Sequence, residues 1–247
     1  MVGSLLLRGM LVGIVAGLLA FGVGKVFGEP MVDRAIAFEE QTSEAKGEAP
    51  EPELVSRPTQ AGIGLFTGVI VYGAAIGGLF ALVFAFVHGR VGSFGARSTA
   101  ALLALAGFVS IVLVPDLKYP PNPPAVGNPD TIGSRTGLFF TMIVISVAAL
   151  VIAIRLARRL AARHGGWNAA LIAAAAYVAI VVVGQYALPG INEVPEQFSA
   201  VVLWQFRVAS LGIHVVLWGT IGLLFGALTE RALARDRGYP ARLVPSR

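Results

Sequence analysis

Three histidines, His88, His164 and His214, supply all the imidazole in this chain of 247 residues, and it has no cysteine. Disulfides, thiolate metal sites and cysteine nucleophiles are thereby excluded. No HExxH, GxSxG, CxxC or glycine-rich phosphate loop occurs, so neither enzymatic activity nor a bound cofactor is expected. His88 and His164 fall at the ends of apolar runs, and only His214 lies inside one. Arg207, Ser210 and His214 are spaced i, i+3, i+7 and so share one helix face. Trp204, Leu211 and Trp218 form the neighbouring stripe. Ionisable groups at bilayer depth are rare and face the interior of a helix bundle. A neutral imidazole there is a good ligand for a first-row transition metal, and an interhelical hydrogen bond is the equal alternative.

Three further segments concentrate polar chemistry. The first runs from Lys25 through Glu29, Pro30 and Asp33 to Glu40; Pro30 suits the first turn of a helix, which would align Glu29, Asp33 and Glu40 on one side. The second, Pro115–Asp130, holds Asp116, Tyr119 and six prolines within fifteen residues. Such a backbone is stiff, extended and poor in amide donors, which predicts a shaped loop or plug and not a flexible tether. The third, Pro189–Phe198, carries Glu193 and Glu196 and leads into Arg207. The candidate metal ligands are therefore His214, Glu29, Asp33, Asp116, Glu193 and Glu196. Lys25, Arg135, Arg207 and Tyr119 are candidates for gating or structural roles. Arg207 would repel a bare cation unless neutralised, so a carboxylate partner is expected among Glu29, Asp116, Glu193 and Glu196.

The elements that must position these groups are apolar helices. Hydrophobic residues make up 56% of the chain and charged ones 13%, against roughly 45–50% and 25% in soluble domains. Six apolar segments emerge, about 9–27, 62–87, 99–114, 137–154, 169–188 and 201–228, the third being the shortest. A signal peptide is the competing reading of the first, but its run is long for a signal core, so retention is expected. One side of the membrane then collects Arg8, Arg90, Arg97, Arg155, Arg158, Arg159, Arg163 and five arginines after Thr229, twelve bases against Glu230 and Asp236. The other collects twelve acids, eight of them between Glu29 and Glu53. Retention of Lys and Arg in the cytoplasm predicts a multi-pass protein of a bacterial inner membrane with both termini cytoplasmic. The same asymmetry accounts for the net charge of +5 without a nucleic-acid partner.

The expected fold class is an all-α integral membrane bundle of about six transmembrane helices, a single polytopic domain over 1–247. Residues 39–60 are acidic and contain proline, which predicts a disordered outer loop, and 229–247 a basic cytoplasmic tail. Small residues recur every fourth position at Gly9, Gly13 and Gly17, at Gly64 and Gly68, at Gly73, Gly77 and Ala81, and at Gly222 and Gly226. In lipid such ridges let helices approach closely. Thr99–Val114 aligns without gaps over Asn168–Val183, with nine identities in sixteen positions. That offset points to tandem hairpins in the same orientation, a known transporter architecture.

The segments GKVFGEPMVDRAIAFEE, LKYPPNPPAVGNPDTIGSRTG and PEQFSAVVLWQFRVASLG resemble the CbtA family, the predicted membrane subunit of a bacterial cobalt transporter. The resemblance covers nearly the whole chain and implies cobalt uptake linked to cobalamin synthesis, together with a small membrane partner, CbtB. It brings no established ligand set. Members often carry a His-rich loop after the first helix, whereas Glu40–Gln60 here is acidic and has no histidine. The expected function is a permease subunit for a divalent transition metal, most simply cobalt, with nickel as the near alternative. A non-transporting scaffold subunit remains open, as does a transporter in which Lys25, Arg135 and Arg207 receive an anionic or chelated substrate such as a corrinoid precursor.

Overall fold

A computed structural model describes residues 2–47 and 54–238 of the chain. It is helical throughout its regular elements, and five helices are long and apolar enough to cross a membrane: Val2–Lys46, Arg57–Val87, Ala96–Lys118, Pro129–Ala187 and Ala200–Arg235. Within the apolar stretch of each span a third or fewer of the residues are buried. Large apolar side chains such as Leu79, Val144, Val183 and Leu223 point outward, as expected where lipid replaces water as the solvent.

Five helices stand where six segments were expected, and the difference lies in the fourth. Here α7, Ile132–Ala187, runs through both 137–154 and 169–188. Gly165 interrupts it with φ 75° and ψ 160°, a conformation suited to glycine. In a straight helix Ser146 and Tyr177 would be about 46 Å apart, yet their hydroxyls are 2.8 Å apart. A Cβ on Gly184 would meet Ile145 and Met142. The two arms therefore fold back antiparallel about Gly165. The expected loop 155–168 is helical because Arg-Leu-Ala-Arg-Arg-Leu-Ala-Ala consists of strong helix formers, so only the glycine turns the chain.

Proline and glycine set the other boundaries. Helix α1, Val2–Val23, continues through a π-helical stretch, Gly24–Gly28, into α2, Glu29–Lys46, with Pro30 in its first turn. Gly47, at φ 72°, ends α2 by donating its N–H to Glu44 and Ser43 carbonyls. Residues 39–46, expected as disordered loop, are thus helical: Glu, Gln, Ala and Lys extend a helix already nucleated. Residues 48–53 of that loop lie outside the described residues. Then α3, Arg57–Thr59, passes through the π-helical stretch Gln60–Gly64 into α4, Leu65–Val87. Next, α5, Ala96–Gly107, passes through another, Phe108–Leu113, into α6, Val114–Lys118. The whole third span is 23 residues, about 35 Å long, enough to cross a bilayer core. Finally α8, Ala200–Gly238, extends into the expected basic tail, of which 239–247 lie outside the described residues.

The chain divides into two compact units. One comprises Met1–Phe21, Gly62–Leu105 and Val215–Arg247. In it α1 and α4 pack antiparallel through glycines, Gly9 against Gly77 and Gly13 against Gly73. Gly222 and Gly226 of α8 face Ala104 and Ala100 of α5. Phe225 makes edge-to-face contacts with Phe80 and Phe84 at 5.4 and 5.1 Å. Buried Thr229 accepts a hydrogen bond from Arg8.

The other unit comprises Gly22–Ala61 and Ala106–His214. One core cluster joins Val114 and Tyr119 to Met142, Ala149 and Val181 on the α7 arms. A second joins Ala35 of α2, Val126 of the Pro-rich segment and Phe198 just before α8. Phe38 meets Phe198 edge to face at 5.1 Å. The Pro-rich segment is therefore packed down at Tyr119 and at Val126, in keeping with a shaped loop.

Candidate functional site

Beneath the Pro-rich segment lies a cavity of about 720 Å³. Asp116 enters it from α6, Tyr119 to Pro124 form one wall, and Arg135, Thr136 and Phe139 come from α7. The stretch Ile191–Val194 adds another wall, and α8 contributes Arg207, Ser210 and His214. The i, i+3, i+7 face read from the sequence thus lines one cavity with the loop. Trp204, on the neighbouring stripe, is exposed.

Backbone chemistry fixes the cavity wall. Pro120, Pro121, Pro123 and Pro124 have no N–H, so this stretch offers carbonyls almost exclusively. Arg207 donates through Nη2 to Asn122 Oδ1 at 2.8 Å and through Nε to the Pro121 carbonyl at 3.4 Å. The expected carboxylate partner for Arg207 is therefore replaced by two neutral acceptors. Two of the four expected partners are engaged elsewhere: Glu193 pairs with Arg135 at 3.5 Å, and Glu29 pairs with Arg57, which also holds Asp33 at 2.9 Å. Asn122, the acceptor for Arg207, is the cavity residue that the sequence reading passed over; its one signal is being the only side chain with hydrogen-bonding groups among the five residues Pro120–Pro124.

Glu193 also anchors the far end of the loop. Its Oε2 accepts from the Asn128 N–H at 2.7 Å, while Arg135 Nη2 donates to the Asn128 carbonyl at 3.2 Å. Gly127, at φ 128°, packs so closely on that guanidinium that any Cβ would collide with it. The Asn128 amide, then the Thr131 hydroxyl and the Arg135 charge, hold the Glu193 carboxyl below the usual carboxylate range. A depressed carboxylate stabilises the fold above its unfolded pKa and loses that contribution as pH falls through the folded value. The Pro-rich loop should therefore loosen on acidification below about pH 4. A cysteine at Ala125 should react faster with a thiol reagent at pH 3.5 than at pH 6 after correction for thiolate content. In Glu193→Gln the rate should already be raised at pH 6.

Tyr119 is buried and donates its phenol O–H to the Pro189 carbonyl at 2.8 Å. Burial pushes its pKa up, so it remains a neutral donor that ties the loop to the end of α7. The other candidates are placed elsewhere. Lys25 donates to the Ala61 carbonyl at 3.1 Å, and Glu196 is exposed and does not line the cavity. Of the six candidate metal ligands, the cavity wall holds Asp116, Glu193 and His214. Among the described residues no three His, Cys, Asp or Glu side chains come together to hold a metal ion. The expected six-residue ligand set is not assembled, because ion pairs with Arg57 and Arg135 have taken three of its carboxylates.

A second cavity, of about 730 Å³, lies in the other unit, where the turn from His88 to Ala96 meets Glu230 and Leu233. Its carboxylate is paired with Arg97 at 2.5 Å, and His88 stacks on Phe84.

Comparison with curated proteins and with solved structures gives no match. A family model described as "Probable cobalt transporter subunit (CbtA)" matches residues 2–230, nearly the whole chain and every residue of the Pro-rich cavity. The chain belongs to the CbtA family of probable cobalt transporter subunits.

Proposed function

We propose that this protein is the permease subunit of a cobalt uptake system and that the cavity under the Pro-rich loop is where the metal is received. The observation that carries this reading is His214, a nitrogen donor in a membrane helix, lining the same cavity as Asp116. Imidazole suits cobalt and nickel better than calcium or magnesium, and a carboxylate beside it offsets part of the ion's charge. The acidic residues between Glu29 and Glu53 would raise local cation concentration by electrostatic focusing. The family description as a subunit supports a partner, for which a small membrane protein is the simplest form. The reading is tested by radiolabelled cobalt uptake into cells producing this chain, with and without that partner. No uptake above background in either case would overturn it.

Direction of transport requires an orientation, and the charge asymmetry supports an inner-membrane protein with both termini in the cytoplasm. A cysteine introduced at Ala125, beside the cavity, should then react with an impermeant thiol reagent added to spheroplasts. One at Ala161, next to the Gly165 turn, should react only after lysis. Labelling of position 161 from outside would reverse the model and make the cavity an exit.

A further inference from the structure

We infer that the cavity receives cobalt as the complex of a small carboxylate chelator, with Arg207 binding a carboxylate of the chelator while His214 and Asp116 face the metal. This rests on the permease reading above and specifies its substrate. Three observations converge on it.

The first is the shortage of ligands. A first-row divalent ion takes about four to six donors, yet no three His, Cys, Asp or Glu side chains gather among the described residues. Glu193 is held by Arg135 and the Asn128 amide, and the cavity wall has two other groups of this kind, Asp116 and His214. An ion here must keep most of its coordination sphere, as water or as a chelator.

The second is the charge of Arg207. A guanidinium has five N–H donors, and two of them point at Pro121 and Asn122. Both acceptors are neutral, so they aim the group without cancelling its charge. The proline wall has carbonyls but almost no amides, so it orients a cation and cannot itself bind an anion. A fixed guanidinium repels an aqua dication and attracts a carboxylate, which it can bind through two parallel hydrogen bonds.

The third is size. About 720 Å³ is far more than one ion requires and falls within the roughly 300–1,000 Å³ typical of small-molecule sites.

The test uses membranes from cells producing the full chain, with membranes lacking it as background. Radiolabelled cobalt is offered as the aqua ion, as its anionic citrate complex, and as its triethylenetetramine complex, which remains a dication. The citrate complex should bind at least about tenfold more tightly than either cation, the difference one charge-assisted pair supplies. In Arg207→Gln that ratio should fall close to one, and Arg207→Lys should retain part of it. If the unaltered chain binds the aqua ion as tightly as the citrate complex, or if Arg207→Gln keeps the full ratio, the inference is wrong while the permease reading stands. If cells producing the chain and its partner take up no cobalt in any of the three forms, the permease reading itself fails.

Discussion

Cells producing His214→Ala should take up cobalt at or near the rate of cells lacking the protein, with the chain present in the membrane at normal abundance. On the proposed reading this imidazole faces the metal, and its loss removes a ligand that water replaces poorly. Losing even a group that supports a ligand typically costs about 10–100-fold in metal affinity, and loss of the ligand itself should cost at least as much. Asp116→Asn should give a smaller loss in the same direction, because the amide keeps the shape and an oxygen donor but not the charge. Glu196→Gln, on an exposed residue away from the cavity wall, should change uptake little. The measurement is initial-rate uptake of radiolabelled cobalt, normalised to the amount of chain in the membrane. If His214→Ala takes up cobalt normally, the histidine serves only helix packing and the pathway lies elsewhere.

The half of this site that lies on α8 is legible in the sequence because helical periodicity is local. Residues 207, 210 and 214 must share a face in any α-helix, and the apolar run around them makes the helix certain. The partner of Arg207 is not legible in the same way. Four carboxylates were reasonable candidates by type, but partner choice depends on which bases fold nearby. Arg135 sits close enough in space to take Glu193, and Arg57 returns across 28 residues to take Glu29. Asn122 was hidden for a related reason. A neutral amide among prolines looks like loop composition until a guanidinium is seen to rest on it. The loop expected between the fourth and fifth apolar runs was misread for a different cause. The arginine-rich interval between two apolar runs looks like a loop by polarity, but its residues are helix formers, and only the non-helical backbone at Gly165 separates the arms.

The glycine ridges show the same limit in a form that can be measured. Gly13→Leu should abolish accumulation of the chain in the membrane, and Gly13→Ala should lower it several-fold, whereas Gly68→Ala should leave it unchanged. Both positions belong to every-fourth-residue patterns that read alike. A Cβ on Gly13, however, would overlap the carbonyl oxygen of Gly73 and come within 2.8 Å of its carbonyl carbon. On Gly17 it would meet the Val69 carbonyl oxygen at 2.9 Å, and on Gly77 the Gly13 Cα at 2.9 Å. These neighbours are backbone atoms, which cannot rotate away as a side chain can. The two helices must therefore separate along the whole seam, losing the close packing that holds helices together in lipid. Overpacking of this kind costs about 1–3 kcal/mol for one methyl group and more for a larger side chain, a large fraction of a typical stability of about 5–15 kcal/mol. At Gly68 a Cβ meets nothing within 4 Å, and alanine is the better helix former by about 1 kcal/mol. Membrane abundance of the three variants, followed by immunoblot at equal expression, separates contact from pattern. Equal loss at Gly13 and Gly68 would mean that the α1–α4 seam is not formed as described, whereas loss at Gly13 alone supports it.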